Sequence, residues 1–470
     1  MRLIQALKTY RQEVQGRFHM PGHKGKELTN TTNPYLSFDF DVTEVGGLDN
    51  LHQPAGVIQD LLEEISRLYE VKQSYISTNG STTCLQSAIL GLTKPGESLI
   101  MSRDCHKAVY NATLLGDLKP IYLPAAPNSD IGLTWRQDLE EYEKILSQSN
   151  AKVVVVTYPT YYGLCCDIQA LVNMAHRHGK WIIVDEAHGS HLKFSDRLPL
   201  SAEEAGADVI VQSSHKTLPA LTQTSLLHVN THFEADNIGA FMNILLTTSP
   251  SYLMMASLEN AINFMADEGV HRIHQNLEHL QILKKKYPFA GQIYKDKSFF
   301  QKNGVFDFDE TKLLFRFKEI GLTGNAGMRK LRKECGIEME MADLSYVNGF
   351  MTAADDPQDL EALFIGVDKL VKTEKIKIKA TREMFPFKYY QPKMEMTIRQ
   401  AFYRKKENMR LNQSSGRIAG DYIIPYPPGI PMVCPGEMVT QENIEAIQAY
   451  EEANIHVMGI QNNEIKVIKE

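Results

Sequence analysis

From about residue 59 onward, short apolar runs rich in β-branched residues alternate with stretches whose apolar residues recur every three or four positions. Gln59 to Tyr69 places Leu61, Leu62, Ile65 and Leu68 on one side of a helix. Val153-Val154-Val155-Val156, Trp181-Ile182-Ile183-Val184 and Val209-Ile210-Val211 read as central strands covered on both faces. Leu171 to His178, between the first two, reads as a crossover helix, so strand–helix–strand units and a mostly parallel sheet are expected. Beyond residue 250 the texture changes. Ser251 to Tyr287 carries Leu253, Leu258, Ile262, Val270, Ile273, Leu277, Leu280 and Leu283 at the spacing of one long helical stretch. Lys312 to Phe317 is a strand candidate within a region of otherwise helical pattern. The prolines and glycine between Ile423 and Pro431 forbid a helix there. At the start, residues 1–10 form a short amphipathic helix, and residues 11–50, rich in Gly, Asn, Pro and Asp, form an ordered arm with little regular structure. The expectation is an α/β chain in four parts: an arm at 1–50, a large domain at 51–289 that ends in the long helix, a small α/β domain at 290–372, and a C-terminal subdomain at 373–470.

Composition narrows the function classes. Of 470 residues, 43% are hydrophobic and 23% charged, with a net charge of −7. There is no basic stripe with interleaved aromatics, so nothing argues for a nucleic-acid module, and the acidic balance argues against general nucleic-acid or membrane-surface binding. No apolar run approaches the roughly 20 residues of a membrane helix, and the first residues lack the apolar core of a signal peptide. The 6 cysteines are scattered without a CxxC pair, which reads as reduced thiols of a cytoplasmic protein. Cys165-Cys166 reads as two small buried hydrophobes.

The candidate chemistry sits at strand ends. Lys216, in Ser213-Ser214-His215-Lys216-Thr217, follows the strand ending at Gln212. Asp185, in Asp185-Glu186-Ala187-His188-Gly189, follows the strand ending at Val184, about one strand–helix–strand unit upstream. In an open parallel sheet, ligands bind at the carboxyl ends of the strands. A lysine there is partly desolvated, which frees its amine for imine formation. Earlier in the chain, Asn79-Gly80-Ser81-Thr82-Thr83 opens a helix. Gly80, Ser81 and Thr82 there can cup a phosphate, because free N–H groups and the helix dipole favour an anion; plain capping explains the same residues. In this order the three features are what pyridoxal 5'-phosphate (PLP) requires, with Lys216 as its covalent anchor and Asp185 keeping the pyridine nitrogen protonated. His106, after the strand candidate Ser98 to Met101, can stack on a cofactor ring or be a hydrogen-bonded loop histidine. Tyr161, in Thr160-Tyr161-Tyr162-Gly163, is a candidate for lining the substrate pocket.

The chain resembles the bacterial ornithine/lysine/arginine decarboxylases, a family of fold-type-I PLP enzymes. The resemblance rests on His19-Met20-Pro21-Gly22-His23-Lys24-Gly25, Thr43 to His52, Ser77 to Thr82, Cys105-His106-Lys107, Asp185 to Gly189, Ser213 to Leu218, Ser249-Pro250-Ser251-Tyr252 and Tyr426 to Pro431, and spans almost the whole chain. It implies a large PLP-binding domain at 51–289 with a mostly parallel central sheet. It further implies that Lys216 holds PLP, Asp185 pairs with the ring nitrogen, His106 stacks on one ring face, Ala187 packs the other, and His188 lies near the ring hydroxyl. Ser81, Thr82, Ser213 and His215 bind the phosphate, and Ser249 approaches it from a partner subunit, so a homodimer with shared sites is expected. Long family members carry an N-terminal wing domain that this chain is expected to lack, so a decamer is not implied.

The activity so implied is decarboxylation of a basic L-amino acid in the cytoplasm. Arginine, giving agmatine and CO2, is favoured over lysine and ornithine. The proton returned to Cα comes from His215, Lys216 or water. Glu437, Asp41, Glu44 and Asp49 are candidates for the distal cation. An aminotransferase or lyase, with Arg382, Arg399 or Arg417 clamping the substrate carboxylate, is the alternative within PLP chemistry. A catalytically silent PLP-binding protein is the alternative outside it. No metal site is expected.

Overall fold

The apolar runs become strands where their patterning puts them. The computed structural model describes residues 2–14, 20–21, 24, 39–125, 127–135, 138–230, 236–375, 393–426, 429–452 and 455–470. His19, Gly22, His23 and Gly25 of the first motif, Arg382, and Pro427-Pro428 lie outside the described residues. The helices that matter below are α1 (Arg2–Glu13), α2 (Val57–Leu68), α3 (Gly80–Leu92), α4 (Lys107–Gly116), α5 (Ile168–Arg177), α6 (Tyr252–Phe264) and α7 (Val270–Lys286). The strands are β1 (Gln73–Ser77), β2 (Ser98–Ser102), β3 (Lys119–Leu123), β4 (Val153–Thr157), β5 (Trp181–Asp185), β6 (Val209–Gln212) and β7 (Ser225–Val229). The long helix expected from 251 to 287 is broken into α6 and α7 by a π-helical turn, Met265–Gly269.

By density of contacts the chain divides into two units, residues 1–92, 183–196 and 200–272, and residues 93–182, 197–199 and 273–470. In the first unit the neighbouring strands run β1-β7-β6-β5. β6 pairs parallel with β5, whereas β7 is antiparallel to both β6 and β1. Every residue of β6 and β7 is buried, which is why these segments read as unbroken apolar runs instead of alternating ones. β7 is a strand that the sequence reading passes over, although Leu226, Leu227 and Val229 mark it. At the start of this unit α1 buries Leu3, Leu7 and Tyr10. The buried carboxylate of Glu259 on α6 receives the backbone N–H groups of Arg2, Leu3 and Ile4, the donors that a helix start leaves unpaired.

In the second unit β4, β2 and β3 are parallel neighbours. A separate antiparallel sheet orders Tyr294–Lys295, Lys312–Arg316, Tyr346–Phe350 and Met341–Ala342. Helices Gly324–Cys335 and Pro357–Lys375 lie in the same stretch of chain. Near the C-terminus a small core of Leu411, Ala419, Ile423, Val433, Val439 and Ile444 forms around short strands. Within the proline-rich segment, Ile424–Tyr426 is a short strand. Both C-terminal parts of the expected division fall inside the second unit, and the expected large domain is split between the two. Parallel pairings dominate the central strands, so the α/β class with a mostly parallel sheet is the one found.

The turn after β4 shows how one residue type is demanded. Gly163 closes it with N–H bonded to the Thr160 carbonyl at 2.9 Å and φ of +84°. A Cβ there would stand 2.7 Å from Cγ of Lys312, which is itself buried and paired with Asp309 at 2.9 Å. Gly163→Ala is therefore expected to lower stability by about 2–4 kcal/mol, from left-handed strain plus overpacking. Chemical denaturation of the two proteins checks it, and a loss below half a kcal/mol would contradict this account.

Candidate active site

β5 and β6 run parallel with Asp185 opposite Val211, so their carboxyl ends finish level. Asp185 closes β5, and Lys216 lies in the short helical turn Ser214–Thr217 that follows β6. The Lys216 Nζ is partly buried and stands 3.1 Å from His188 Nε2. Ser213 Oγ donates to Ser81 Oγ at 2.8 Å, which ties the turn after β6 to the first turn of α3. Gly80 opens that helix with φ of +75°, its N–H bonded to the carbonyl of Gln223 at 2.9 Å. Ala187 and His188 are buried beside Asp185, and Ser249 is exposed just before α6. Thus Ser81, Asp185, His188, Ser213, His215 and Lys216, named from sequence, all lie in one unit, and four pairs among them are in contact or charge coupling.

The electrostatics follow from burial. Asp185 is 2% exposed. Loss of water pushes its carboxyl up to about 6, against the opposing pull of Lys216 and the Ala187 N–H at 3.3 Å. His215 lies 2.9 Å from the Thr224 carbonyl through Nδ1, so that nitrogen carries the proton and donates. Burial, with Lys216 nearby, lowers its pKa, leaving it a neutral ring with a lone pair on Nε2. Thr224 is a residue the sequence reading misses; a backbone carbonyl leaves no side-chain signature.

His106, Tyr161, Glu437, Arg399 and Arg417 belong to the second unit. His106 is exposed at the N-cap of α4, and its Nδ1 accepts the Ala108 N–H at 3.2 Å. The loop-histidine geometry is the one found. Tyr161 donates its hydroxyl to Glu340, and its carbonyl accepts from Asn348 at 3.1 Å. Glu437 is a correction. It is fully buried, and its Oε2 pairs with Arg103 at 3.1 Å and accepts the Cys434 N–H at 2.7 Å, so a buried arginine already faces its charge. Arg399 spends its guanidinium on the carbonyls of Leu114 and Leu115, and Arg417 on Glu407 and the Ile468 carbonyl. Neither is a free carboxylate clamp.

Asp49, in the first unit, is a second correction. Its carboxylate receives backbone N–H groups from Asn50, Ala55, Gly56, Ile58 and Gln59 at 2.8–3.3 Å, capping α2. Burial pushes its pKa up, but these bonds outweigh that and hold it below the ordinary range. One oxygen of Glu44 accepts the Thr43 hydroxyl, and its Oε1, like that of Glu437, is buried without a hydrogen-bond partner among the described residues. Among the described residues no group of three or more His, Cys, Asp or Glu side chains could hold a metal ion.

Known proteins share this arrangement of elements. The sequence pattern of the Orn/Lys/Arg decarboxylases matches in two blocks, the major domain over residues 2–343 and the C-terminal domain over 378–466. The arginine decarboxylase of Bacillus subtilis is 31% identical, over 98% of this chain and 96% of that protein. The constitutive lysine decarboxylase of Escherichia coli is 25% identical, over 93% and 75%. The crystal structure of the Francisella novicida lysine decarboxylase has the same fold, with a TM-score of 0.83 at 18% identity, covering 100% of this chain and 81% of that one.

Asp185 makes a pH prediction for the protein free of ligand. Its pKa is about 6 when folded and near 3.8 when unfolded, so its contribution to stability is full below pH 3.8 and is lost as pH rises through 6. Asp185→Asn should match the parent at pH 4 and exceed it at pH 7 by at most about 3 kcal/mol. Thermal melts at both pH values decide; an advantage larger at pH 4 would reverse the sign and sink the assignment.

Proposed function

The chain belongs to the Orn/Lys/Arg decarboxylase family, and we propose that it decarboxylates a basic L-amino acid, arginine before lysine or ornithine, using PLP anchored on Lys216. The observation that carries this reading is the buried Asp185 carboxylate at the end of β5, held opposite the charge of Lys216. Arginine is favoured because the Bacillus subtilis relative bears that name and is matched along nearly its whole length.

The residues present fit the cofactor. Asp185 has a single backbone donor and no cationic hydrogen-bond donor of its own, and a protonated ring nitrogen is the group such a carboxylate lacks. The hydroxyls of Thr78, Ser214 and Thr217 are buried without a hydrogen-bond partner among the described residues. With the free N–H groups at the start of α3 they suit a phosphate. When bound, the cofactor supplies a covalent attachment for the substrate amine and an electron-accepting ring for the pair released at Cα.

Each side chain then has a task. Lys216 holds and releases the cofactor, and Asp185 keeps its negative charge at the ring nitrogen. Gly80, Ser81, Thr82, Ser213 and His215 would bind the phosphate, Ala187 would pack against the ring and His188 would serve its hydroxyl; His106 is assigned to the ring by the family resemblance alone. Tyr161 lines the pocket. A decarboxylase gains from a substrate carboxylate without a firm partner, and both described arginine candidates are engaged elsewhere. The proton returned to Cα comes from Lys216 or a water, because neutral His215 commits its N–H to Thr224 and presents a lone pair. Glu44, with an oxygen that has no hydrogen-bond donor among the described residues, and Asp41 are the acids kept for the distal cation. Among the described residues no helix is long and apolar enough to cross a membrane; the proposed location is the cytoplasm.

The test is a substrate panel. PLP-loaded protein given arginine, lysine and ornithine separately should release CO2 and one dominant amine, agmatine, by mass spectrometry. Lys216→Ala should lose covalently held cofactor and at least about a thousandfold in rate. No CO2 from any of the three, or full turnover by the variant, defeats the reading. The exposed Ser249 is proposed to meet the partner's phosphate, so sedimentation velocity should find a dimer, and a monomer at working concentration would remove that role.

A further inference from the structure

Next to Asp185 the chain places a second acid, Glu186, that the proposed chemistry does not use. Glu186 is fully buried. Its Oε1 accepts the Ala202 N–H at 2.8 Å and its Oε2 accepts from Gln212 Nε2 at 2.7 Å. Gln212 is the last residue of β6, so this bond joins the carboxyl end of β5 to that of β6. Because the Gln212 amide nitrogen points at Glu186, its oxygen faces His228, whose Nε2 lies 3.4 Å away. His228 Nδ1 lies 2.9 Å from Ser74 Oγ, and Ser74 Oγ lies 2.9 Å from Ser66 Oγ. Burial lowers His228 to about 3, so it is a neutral link in this chain, stacked on Tyr69 with centroids 4.5 Å apart.

A third acid, Glu203, completes the group. It is 6% exposed, its side chain meets that of Glu186, and neither of its oxygens has another hydrogen-bond partner among the described residues. The other ionisable groups around the pair do not neutralise it. Tyr69, from α2, is a buried phenol held neutral. Lys193 attracts Glu203 but is ion-paired with Glu70 and with Glu204, which repels Glu203. Two neighbouring carboxylates without water or a paired cation cannot both stay ionised.

We infer that Glu186 and Glu203 share one proton, and that Glu186, through Gln212, is a positioning residue that locks the end of β5 to the end of β6 and so sets Asp185 against Lys216. Its catalytic part rests on the proposed roles of Asp185 and Lys216; the shared proton does not. The proton belongs to the pair, not to either acid. Burial raises both acids, whereas in the unfolded chain each gives its proton up near 4.5. The pair's contribution to stability is therefore full below pH 4.5 and falls as pH rises above it.

Two measurements test the two halves. Melting temperatures of cofactor-free protein between pH 5 and pH 8 should fall more steeply for the parent than for Glu203→Gln, whose amide donates to Glu186 without a shared proton. Equal slopes would overturn the shared proton. Repeating the scan in a Lys216→Ala background keeps this result independent of whether the PLP reading stands. For the lock, Gln212→Glu sets a carboxylate against Glu186 and should cut cofactor retention and turnover at pH 8 by about tenfold or more. Both should recover as pH falls to 6. The double variant E186Q/Q212E restores the match, with the new amide donating to the new carboxylate and its oxygen accepting Ala202, and should return most of the loss at pH 8. Gln212→Glu behaving as the parent at pH 8, or a double variant no better than the single one, would overturn the positioning role.

Discussion

A single buried carboxylate organises the first unit. Asp185 has almost no contact with water, and the opposite charge acting on it is Lys216. Burying a charge is expensive unless it is paired and hydrogen-bonded, so the surroundings must be held in place by something other than that charge. They are held by β-sheet register. The parallel match of Asp185 with Val211 levels two strand ends, and the Ser213–Ser81 bond fastens the turn carrying Lys216 to α3. The strain left on Asp185, visible in its raised pKa, is what a cationic ligand would relieve.

The same demand for partners explains why other acids have structural duties. A helix start leaves backbone N–H groups unpaired, and a carboxylate is a strong acceptor for them. Asp49 meets that demand for α2 and Glu259 for α1. Glu437 meets the charge of Arg103, which is enclosed by Tyr110, Tyr122 and the carbonyls of Pro431 and Met432. In each case a residue that carries a charge in the sequence carries none to spare in the fold. Glu186 and Glu203 lie at the other extreme: buried acids without a matching cation, for which a retained proton is the physical remedy.

Much of the fold was legible from the chain. β4, β5 and β6 and helices α1, α2 and α5 stand within a few residues of where apolar spacing puts them, because burial on both faces leaves no polar alternation to confuse the reading. Lys216, Asp185 and the opening of α3 were legible for a related reason. Chemistry at strand ends leaves charged or small residues directly after an apolar run. What was not legible was pairing across the chain. Nothing in the spacing of Asp49 or Glu437 announces five backbone donors or a buried arginine hundreds of residues away in sequence.

The sequence by itself determined the class of fold, the order of the strands along the chain, and the identities of the lysine and aspartate at the strand ends. These depend on local periodicity and on residue type, both of which are written in the chain. Only the tertiary structure decided which acids are free, which tautomer His215 holds, and that Glu186 and Gln212 bridge two strand ends. Hydrogen-bond partnership and desolvation are properties of neighbours in space, and a linear order of residues does not contain them.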